Sequence, residues 1–391
     1  MAHGYPATFT RTAPAGRPEE KTSYWRRLDW VLLLATLALS GLGSLLVWSA
    51  SRTDLAAAAG DPQSFLKKHL LNIAIGIVLG LLVSRIDHRL LRAYTPLLYV
   101  ASIVGVLLVY SPLGTSVAGA RAWIKLPAGF TLQPSEFAKI AIILVMAMVL
   151  AEKRDAESEP RDRDVLLSLV LAAVPIVLVL AQNDTGTVLV MCTIVLSIVA
   201  VSGAKTRWVL GLILAAVVGV LLVIQLGLLQ QYQVERLTSF VDPEADAGAS
   251  AYNANQARIA IGGGGLLGRG LFEGPQTQGN FVPVNESDFV FTVAGEELGF
   301  VGASVLLLLL GVILWRGLRI AMRADDLFGR LVATGVVAWL TFQTFENIGM
   351  NLGIMPVTGV PLPFVSYGGT SMFAGWIAIG LLENVHIRSK E

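Results

Sequence analysis

Trp30-Val-Leu-Leu-Leu-Ala-Thr-Leu-Ala-Leu-Ser-Gly-Leu-Gly-Ser-Leu-Leu-Val-Trp48 runs for nineteen residues without a charge. A helix crossing the hydrocarbon layer needs about 20 mostly apolar residues, so this run reads as a membrane span. Nine further runs of the same kind begin near His69, Tyr94, Phe137, Val165, Thr187, Trp208, Phe289, Leu331 and Phe364. Of the 391 residues, 54% are apolar and 15% charged, whereas an ordinary soluble domain is about 25% charged. Lipid is the solvent that covers so much apolar surface. The 29 Lys and Arg are balanced by 28 Asp and Glu, which argues against a nucleic-acid binder, a class marked by strong basicity. One cysteine, Cys192, excludes an internal disulfide, and four scattered histidines argue against a zinc cluster.

Lys and Arg concentrate on the cytoplasmic side of membrane proteins. With the N-terminus inside, ten crossings place 20 of them in cytoplasmic segments and 8 in outer segments, and Lys139 lies within a span. The expected fold is therefore an all-α polytopic membrane protein with ten transmembrane helices and both termini cytoplasmic. Residues 1–27 form a polar tail holding Pro6, Pro14 and Pro18, expected to be disordered. That tail is too long, and at Glu19-Glu20 too acidic, for a secretory leader, so the first apolar run stays as a helix. Residues 28–386 are the membrane domain and 387–391 a second cytoplasmic tail.

Two outer connections are long, 111–135 and 228–287, the latter between helices 7 and 8 and far beyond usual loop lengths. Ile259, Ile261, Leu266, Leu267, Leu271 and Phe272 are too apolar for a free linker. They suit segments lying on the membrane surface or packed against the bundle. The run Gly262 to Gly265 permits sharp turns and close backbone approach.

An ionised side chain at mid-membrane costs about 2.5–3.5 kcal/mol, so such residues face a partner or a cavity. Glu136 and Lys139 stand three apart at the start of the fourth span, as a structural ion pair or as ligand-holding groups. Gln133 and Ser135 make the approach to that helix polar, and Ser135 suits an N-cap. Asp184, in the turn Gln182-Asn-Asp-Thr-Gly186, is either a solvated turn residue or one with a role at the outer face. Asp288 opens the eighth span, where an acid either complements the helix dipole or serves chemistry. Glu296 and Glu297 lie two turns deeper, in the apolar band, where pairing or protonation is required. Glu346, Asn347 and Asn351 precede a loop, Met355 to Ser371, whose three prolines and three glycines fix its backbone. The acids, the amides and Arg121 gather on the outer face, so any chemistry is expected there. No Walker-type loop occurs, and the glycines of 262–270 follow no strand, which removes ATP-driven transport and a dinucleotide fold.

Several motifs, in order, carry a family resemblance. They are Gln133-Pro-Ser-Glu-Phe-Ala-Lys139, Gln182-Asn-Asp-Thr-Gly-Thr187, Ser287-Asp-Phe-Val-Phe291, Gly295-Glu-Glu-Leu-Gly-Phe300 and Pro356-Val-Thr-Gly-Val-Pro-Leu-Pro-Phe-Val-Ser-Tyr-Gly-Gly-Thr-Ser371. The chain closely resembles the shape, elongation, division and sporulation (SEDS) family along all ten spans. Gln276-Thr-Gln278 before Phe281-Val-Pro283, and Met355 to Val360, resemble its elongation (RodA) branch more than its division (FtsW) branch.

The resemblance implies a peptidoglycan glycosyltransferase that polymerises lipid II on the outer side of the cytoplasmic membrane. It also implies a class B penicillin-binding protein as cross-linking partner, together with other elongation-complex proteins. Asp288 matches the family's essential aspartate. The substrate-binding positions it implies are Arg121, Trp123, Gln133, Ser135, Glu136, Lys139, Gln256, Glu286, Ser366 and Tyr367. Three positions depart from the family pattern: Arg121 stands one residue early before Trp123, Glu286 replaces a usual histidine, and Ala257 follows Gln256 where serine is usual.

Chain extension attacks the anomeric carbon of a lipid-diphosphate sugar with a sugar 4-hydroxyl. The hydroxyl needs a positioned base and the departing diphosphate needs positive charge. Asp288 is the candidate base, and Arg121 and Lys139 are candidate diphosphate contacts. Trp123 either stacks on sugar or belongs to an interfacial aromatic belt. A divalent cation (Mg or Mn) held by Asp288 and another acid is a second way to supply the charge. Two competing classes are a flippase for the lipid-linked precursor and a non-catalytic scaffold for the penicillin-binding protein. The long outer loop ending in an acid at a helix start favours the enzyme. Orientation is checked by a Ser250→Cys substitution in a Cys192→Ala background, which is expected to react with an impermeant thiol reagent on intact cells. Labelling only after lysis reverses the topology.

Overall fold

A computed structural model describes residues 24–53, 61–117, 120–125, 130–152, 160–227, 233–234, 236 and 249–389. Most of the expected N-terminal tail, most of 228–248, and residues 390–391 lie outside them. The helices are α1 (Tyr24–Arg27), α2 (Trp30–Ser51), α3 (Ser64–Arg85), α4 (His88–Leu108), α5 (Pro134–Leu150), α6 (Asp162–Leu180), α7 (Thr185–Val201) and α8 (Thr206–Gln225). They continue as α9 (Ala249–Gly264), α10 (Pro275–Gln278), α11 (Val290–Glu297), α12 (Gly299–Arg323), α13 (Leu327–Leu352) and α14 (Gly369–Arg388). Each of the ten apolar runs is helical over most of its length. Among the described residues, α2, α3, α4, α6, α8 and α12 are long and apolar enough to cross a membrane. The chain is a polytopic membrane protein. Buried Leu, Ile and Val from α2, α5, α7, α13 and α14 form its centre, while α8 has no buried residue at all.

The fold is not purely helical. The connection after α4 holds a three-stranded antiparallel sheet in the order β1 (Gly114–Val117), β2 (Ala120–Lys125), β3 (Thr131–Leu132). Thr115 pairs with Trp123, and Lys125 with Thr131. The β-branched and aromatic residues Thr115, Val117, Trp123 and Ile124 favour this hairpin, which helical periodicity in the flanking spans does not announce. The tenth run also differs. Phe364 takes a positive φ of 65°, a conformation no helix of L-residues continues, so α14 begins at Gly369. Residues 353–368 fold back over the end of the bundle that carries the sheet.

The eighth run is broken at Leu298, between α11 and α12, and Gly299 there has φ +65°. A break inside the apolar layer orphans backbone groups, which must find protein partners. The glycine-rich segment after α9 supplies them. Arg269 and Gly270 N–H donate to the carbonyls of Glu296 (2.9 Å) and Glu297 (3.1 Å). Phe300 and Val301 N–H donate to the carbonyls of Gly265 (2.9 Å) and Leu266 (3.1 Å). This approach leaves no room for side chains: a Cβ on Gly264 would stand 2.0 Å from the Gly295 carbonyl oxygen, and one on Gly268 would stand 2.1 Å from that of Glu297. The two deep acids are anchors for the same segment. Glu296 accepts from Gln276 N–H (2.7 Å), Thr277 N–H (2.8 Å) and the Thr277 hydroxyl (2.6 Å). Glu297 accepts from the Ser49 hydroxyl (2.6 Å) and Gln278 Nε2 (3.0 Å), tying α10 to α2.

At the opposite end, Asp29 caps α2 by accepting from Leu32 N–H at 3.2 Å and from Arg316 Nε at 2.7 Å. Its own N–H donates to Glu383 at 2.9 Å, so α2, α12 and α14 are clamped together.

The seam at the helix break makes a direct prediction. In Gly268→Ala the new Cβ meets the Glu297 carbonyl and the backbone is held at φ +83°. The left-handed conformation alone costs an ordinary residue about 1–3 kcal/mol, so the thermal transition of the detergent-solubilised protein is expected to fall. Gly262→Ala, where a Cβ meets nothing within 4 Å, serves as the control and is expected to be neutral or mildly stabilising.

Candidate functional site

A cavity of about 200 Å³ lies at the sheet end of the bundle. Ala122 and Trp123 of β2, Gln133 and Glu136 at the start of α5, and Asp184 before α7 form one side. Ser287 and Asp288 before α11, the loop Thr358-Gly359 with Pro361, and Tyr367 close the other side, with Arg236 also lining it.

Asp288 is half-buried, two residues ahead of α11. The Ser287 hydroxyl donates to its Oδ1 at 2.9 Å. A Cβ on Gly359 would stand 3.3 Å from its Oδ2, so glycine there keeps the carboxylate's flank clear. Burial raises the carboxyl's pKa above the ordinary value, while the Ser287 hydrogen bond and the Arg236 charge pull the other way. Arg236 also donates through Nη1 to the Thr358 carbonyl at 3.4 Å, which places its guanidinium on the same wall.

Asp184 is more than a solvated turn residue. Its Oδ1 accepts from Thr187 N–H at 3.1 Å, capping α7, and its Oδ2 accepts from Gln133 Nε2 at 2.9 Å. Gln133 takes the N-cap position of α5 with Pro134 following it, so the expected cap, Ser135, falls inside the first turn and is buried. Gln133 N–H donates to the Thr370 hydroxyl at 3.0 Å, joining α5 to α14. The Glu136–Lys139 pair is fully buried, with Nζ 2.9 Å from Oε1 and side-chain exposures of 2% and 1%. Lys139 does not line the cavity: it sits behind Glu136, donates to Gln343 Oε1 at 3.2 Å and lies 4.3 Å from the Trp339 ring centre. Glu136 lines the cavity, and its Oε2 has no hydrogen-bond partner among the described residues.

Of the substrate positions expected from sequence, Trp123, Gln133, Glu136 and Tyr367 thus share the cavity with Asp288, and six do not line it. Ser135 and Lys139 are buried behind it. Arg121 is exposed on β2 and donates to the Ser111 carbonyl at 3.0 Å. Gln256 lies on α9. Glu286 accepts the Tyr367 N–H through its carbonyl at 2.9 Å. Ser366 is a fold contact: its hydroxyl accepts from Leu362 N–H at 2.8 Å and donates to the Ser287 carbonyl. Burial, and next the Glu286 charge, raise the Tyr367 hydroxyl's pKa. Sequence reasoning missed Arg236, Ser287, Asp184 and Thr358 as lining residues. Three of these stood inside recognised motifs, whereas Arg236 carried no local signal beyond its charge.

The expected option of a divalent cation was tested on the donor set. Among the described residues no three His, Cys, Asp or Glu side chains come together as a ligand group. Asp288 has a guanidinium, not further carboxylates, as its charged neighbour. These residues do not fit a bound cation.

Residues 29–391 match the FtsW/RodA/SpoVE cell cycle protein family. The chain belongs to this family. Its similarity to the probable peptidoglycan glycosyltransferase FtsW of Trichlorobacter lovleyi is 36% identity, covering 91% of this chain and 92% of that one. With the peptidoglycan glycosyltransferase MrdB of Escherichia coli it shares 36% identity over 95% and 97%. A solved chain reported under "Structural coordination of polymerization and crosslinking by a peptidoglycan synthase complex" superposes with a TM-score of 0.76 at 31% identity, covering 93% of this chain and 99% of that chain. Within this FtsW/RodA/SpoVE chain, the buried pair gives a thermodynamic prediction. Lys139→Met leaves Glu136 as an uncompensated buried charge, a loss of about 3–5 kcal/mol. Adding Glu136→Gln is expected to restore much of the lost thermal stability. A single variant as stable as wild type would show that Lys139 does not compensate Glu136.

Proposed function

We propose that this peptidoglycan glycosyltransferase polymerises lipid II at the outer face of the cytoplasmic membrane, with Asp288 as the base. The observation that carries this reading is the half-buried Asp288 carboxylate, aligned by Ser287 in a polar cavity beside Arg236. Asp288 takes the proton of the acceptor 4-hydroxyl as its oxygen bonds to the donor's anomeric carbon. The bond from that carbon to the diphosphate breaks, and its electron pair leaves with the diphosphate, whose charge Arg236 meets. Trp123 offers an aromatic face to a sugar.

The proposed topology has ten spans within 28–386, cytoplasmic tails at 1–27 and 387–391, and the 228–287 connection outside. The distribution of Lys and Arg supports it, as does the gathering of Asp184, Asp288 and Glu136 at the sheet end. The proposed partner is a class B penicillin-binding protein. Likeness to a chain of a synthase complex that coordinates polymerization and crosslinking supports that choice. An elongation role, alongside other elongation-complex proteins, rests on Gln276-Thr-Gln278 and Met355 to Val360.

Asp288→Asn keeps the shape of the residue and changes a helix-dipole contribution of about 0.3–1 kcal/mol. It is expected to abolish polymerisation of labelled lipid II by purified protein while binding of lipid II is retained. In the wild type, activity is expected to fall with decreasing pH as Asp288 protonates. Because burial raises its pKa, that limb lies above the ordinary aspartate value of about 3.9. Near wild-type polymerisation by Asp288→Asn would remove the assignment.

A further inference from the structure

One face of α13 carries Trp339, Gln343, Asn347 and Asn351, each four residues from the next and each buried. On a helix this spacing forms one continuous ridge that winds slowly about the axis. Three buried amides require partners, and most of those partners lie off α13. Gln343 Oε1 accepts from both the Trp339 indole and Lys139 Nζ, which orients its Nε2 to donate to the Pro361 carbonyl at 2.7 Å. Asn347 Nδ2 donates to the carbonyls of Val360 at 2.8 Å and Asp288 at 2.9 Å. Asn351 Nδ2 donates to the same Asp288 carbonyl at 3.1 Å and to the Asn347 carbonyl at 2.7 Å. Its Oδ1 accepts the Thr292 N–H at 3.1 Å and hydroxyl at 2.7 Å, in the first turn of α11.

Two segments of one cavity wall therefore hang from one helix. Asp288 belongs to the segment before α11, Val360 and Pro361 to the loop after α13, and neither stretch is regular structure at those residues. We propose that Gln343, Asn347 and Asn351 are positioning residues, a rail that fixes the Asp288 backbone against the 358–361 loop, with Lys139 as its buried anchor. The proposal rests on the reading of Asp288 as base. It gives Lys139 a task that its burial allows: it acts through Gln343, at a distance from the substrate. It also accounts for the order along the stripe. The charged anchor stands at one end, the Asp288 carbonyl takes two amide donors at the other, and Asn347 bridges the two segments.

The test uses purified full-length protein and labelled lipid II. Asn347→Leu keeps the volume and removes both donors. Gln343→Glu keeps the acceptor for Lys139 and Trp339, and so the anchor, but removes the donor to Pro361. A misplacement near 1 Å at a reacting group costs up to about 100-fold in rate, and both variants are expected to lose about 10- to 100-fold in kcat. KM for lipid II is expected to stay within about twofold of wild type. The acid limb of the pH profile is expected to stay in place, because the amides hold the Asp288 carbonyl and not its carboxylate. If Asn347→Leu fails to fold, Gln343→Glu decides. Wild-type kcat in a folded variant, or a loss explained wholly by KM, overturns the rail. The two readings fail separately: active rail variants beside an inactive Asp288→Asn remove the rail alone, whereas an active Asp288→Asn removes the base.

Discussion

Four backbone hydrogen bonds across the break at Leu298 hold the rest of the arrangement in place. A helix interrupted in the apolar layer leaves carbonyls and N–H groups that lipid cannot satisfy. Here the strand of glycines from 264 to 270 satisfies them. The exchange works both ways. The loop fills the gap in the helix, and the helix gives the loop a fixed seat, reinforced by Glu296 on α10 and Glu297 on Ser49 and Gln278. α11 is thus a separate eight-residue piece, free to present Asp288 at its start without continuing the axis of α12.

At the sheet end, Glu136, Asp184 and Asp288 face Arg236 as the one cation lining the cavity among the described residues. Lys139 neutralises Glu136 from behind, so it adds no positive charge to the space itself. In the proposed reaction the base, Asp288, and the countercharge, Arg236, line the same wall of the cavity.

The ten helical runs were legible in the sequence because each is a long, mostly apolar stretch. Asp288, Glu136 and Gln133 were legible because they stand in motifs at span ends. The hairpin of β1 to β3 was not, since six-residue alternation is faint beside twenty-residue apolar runs. Nor was the break at Leu298: one glycine after Glu296-Glu297 does not announce a helix end, and its partner loop is some 30 residues earlier in the chain. Lys139 read as an anion ligand because sequence shows a charge but not which side of Glu136 it occupies. Arg121 read likewise, and the strand carries it to the Ser111 carbonyl instead.

The helix Thr206–Gln225 has no buried residue. A span packed on protein is held by contacts that lipid tails cannot replace at equal density, whereas this one beyond Leu212 exchanges neighbours with lipid at almost no free-energy difference. Its tilt and height therefore follow the thickness of the bilayer and the chain at its two ends more than the core. Any apolar residue serves equally well along it, so its sequence is free to drift within the limits of hydropathy. Its hold on the core is confined to its first two turns, where the partly buried Trp208, Val209 and Leu212 pack against the bundle and the Trp208 indole donates to Asp162 at 2.8 Å.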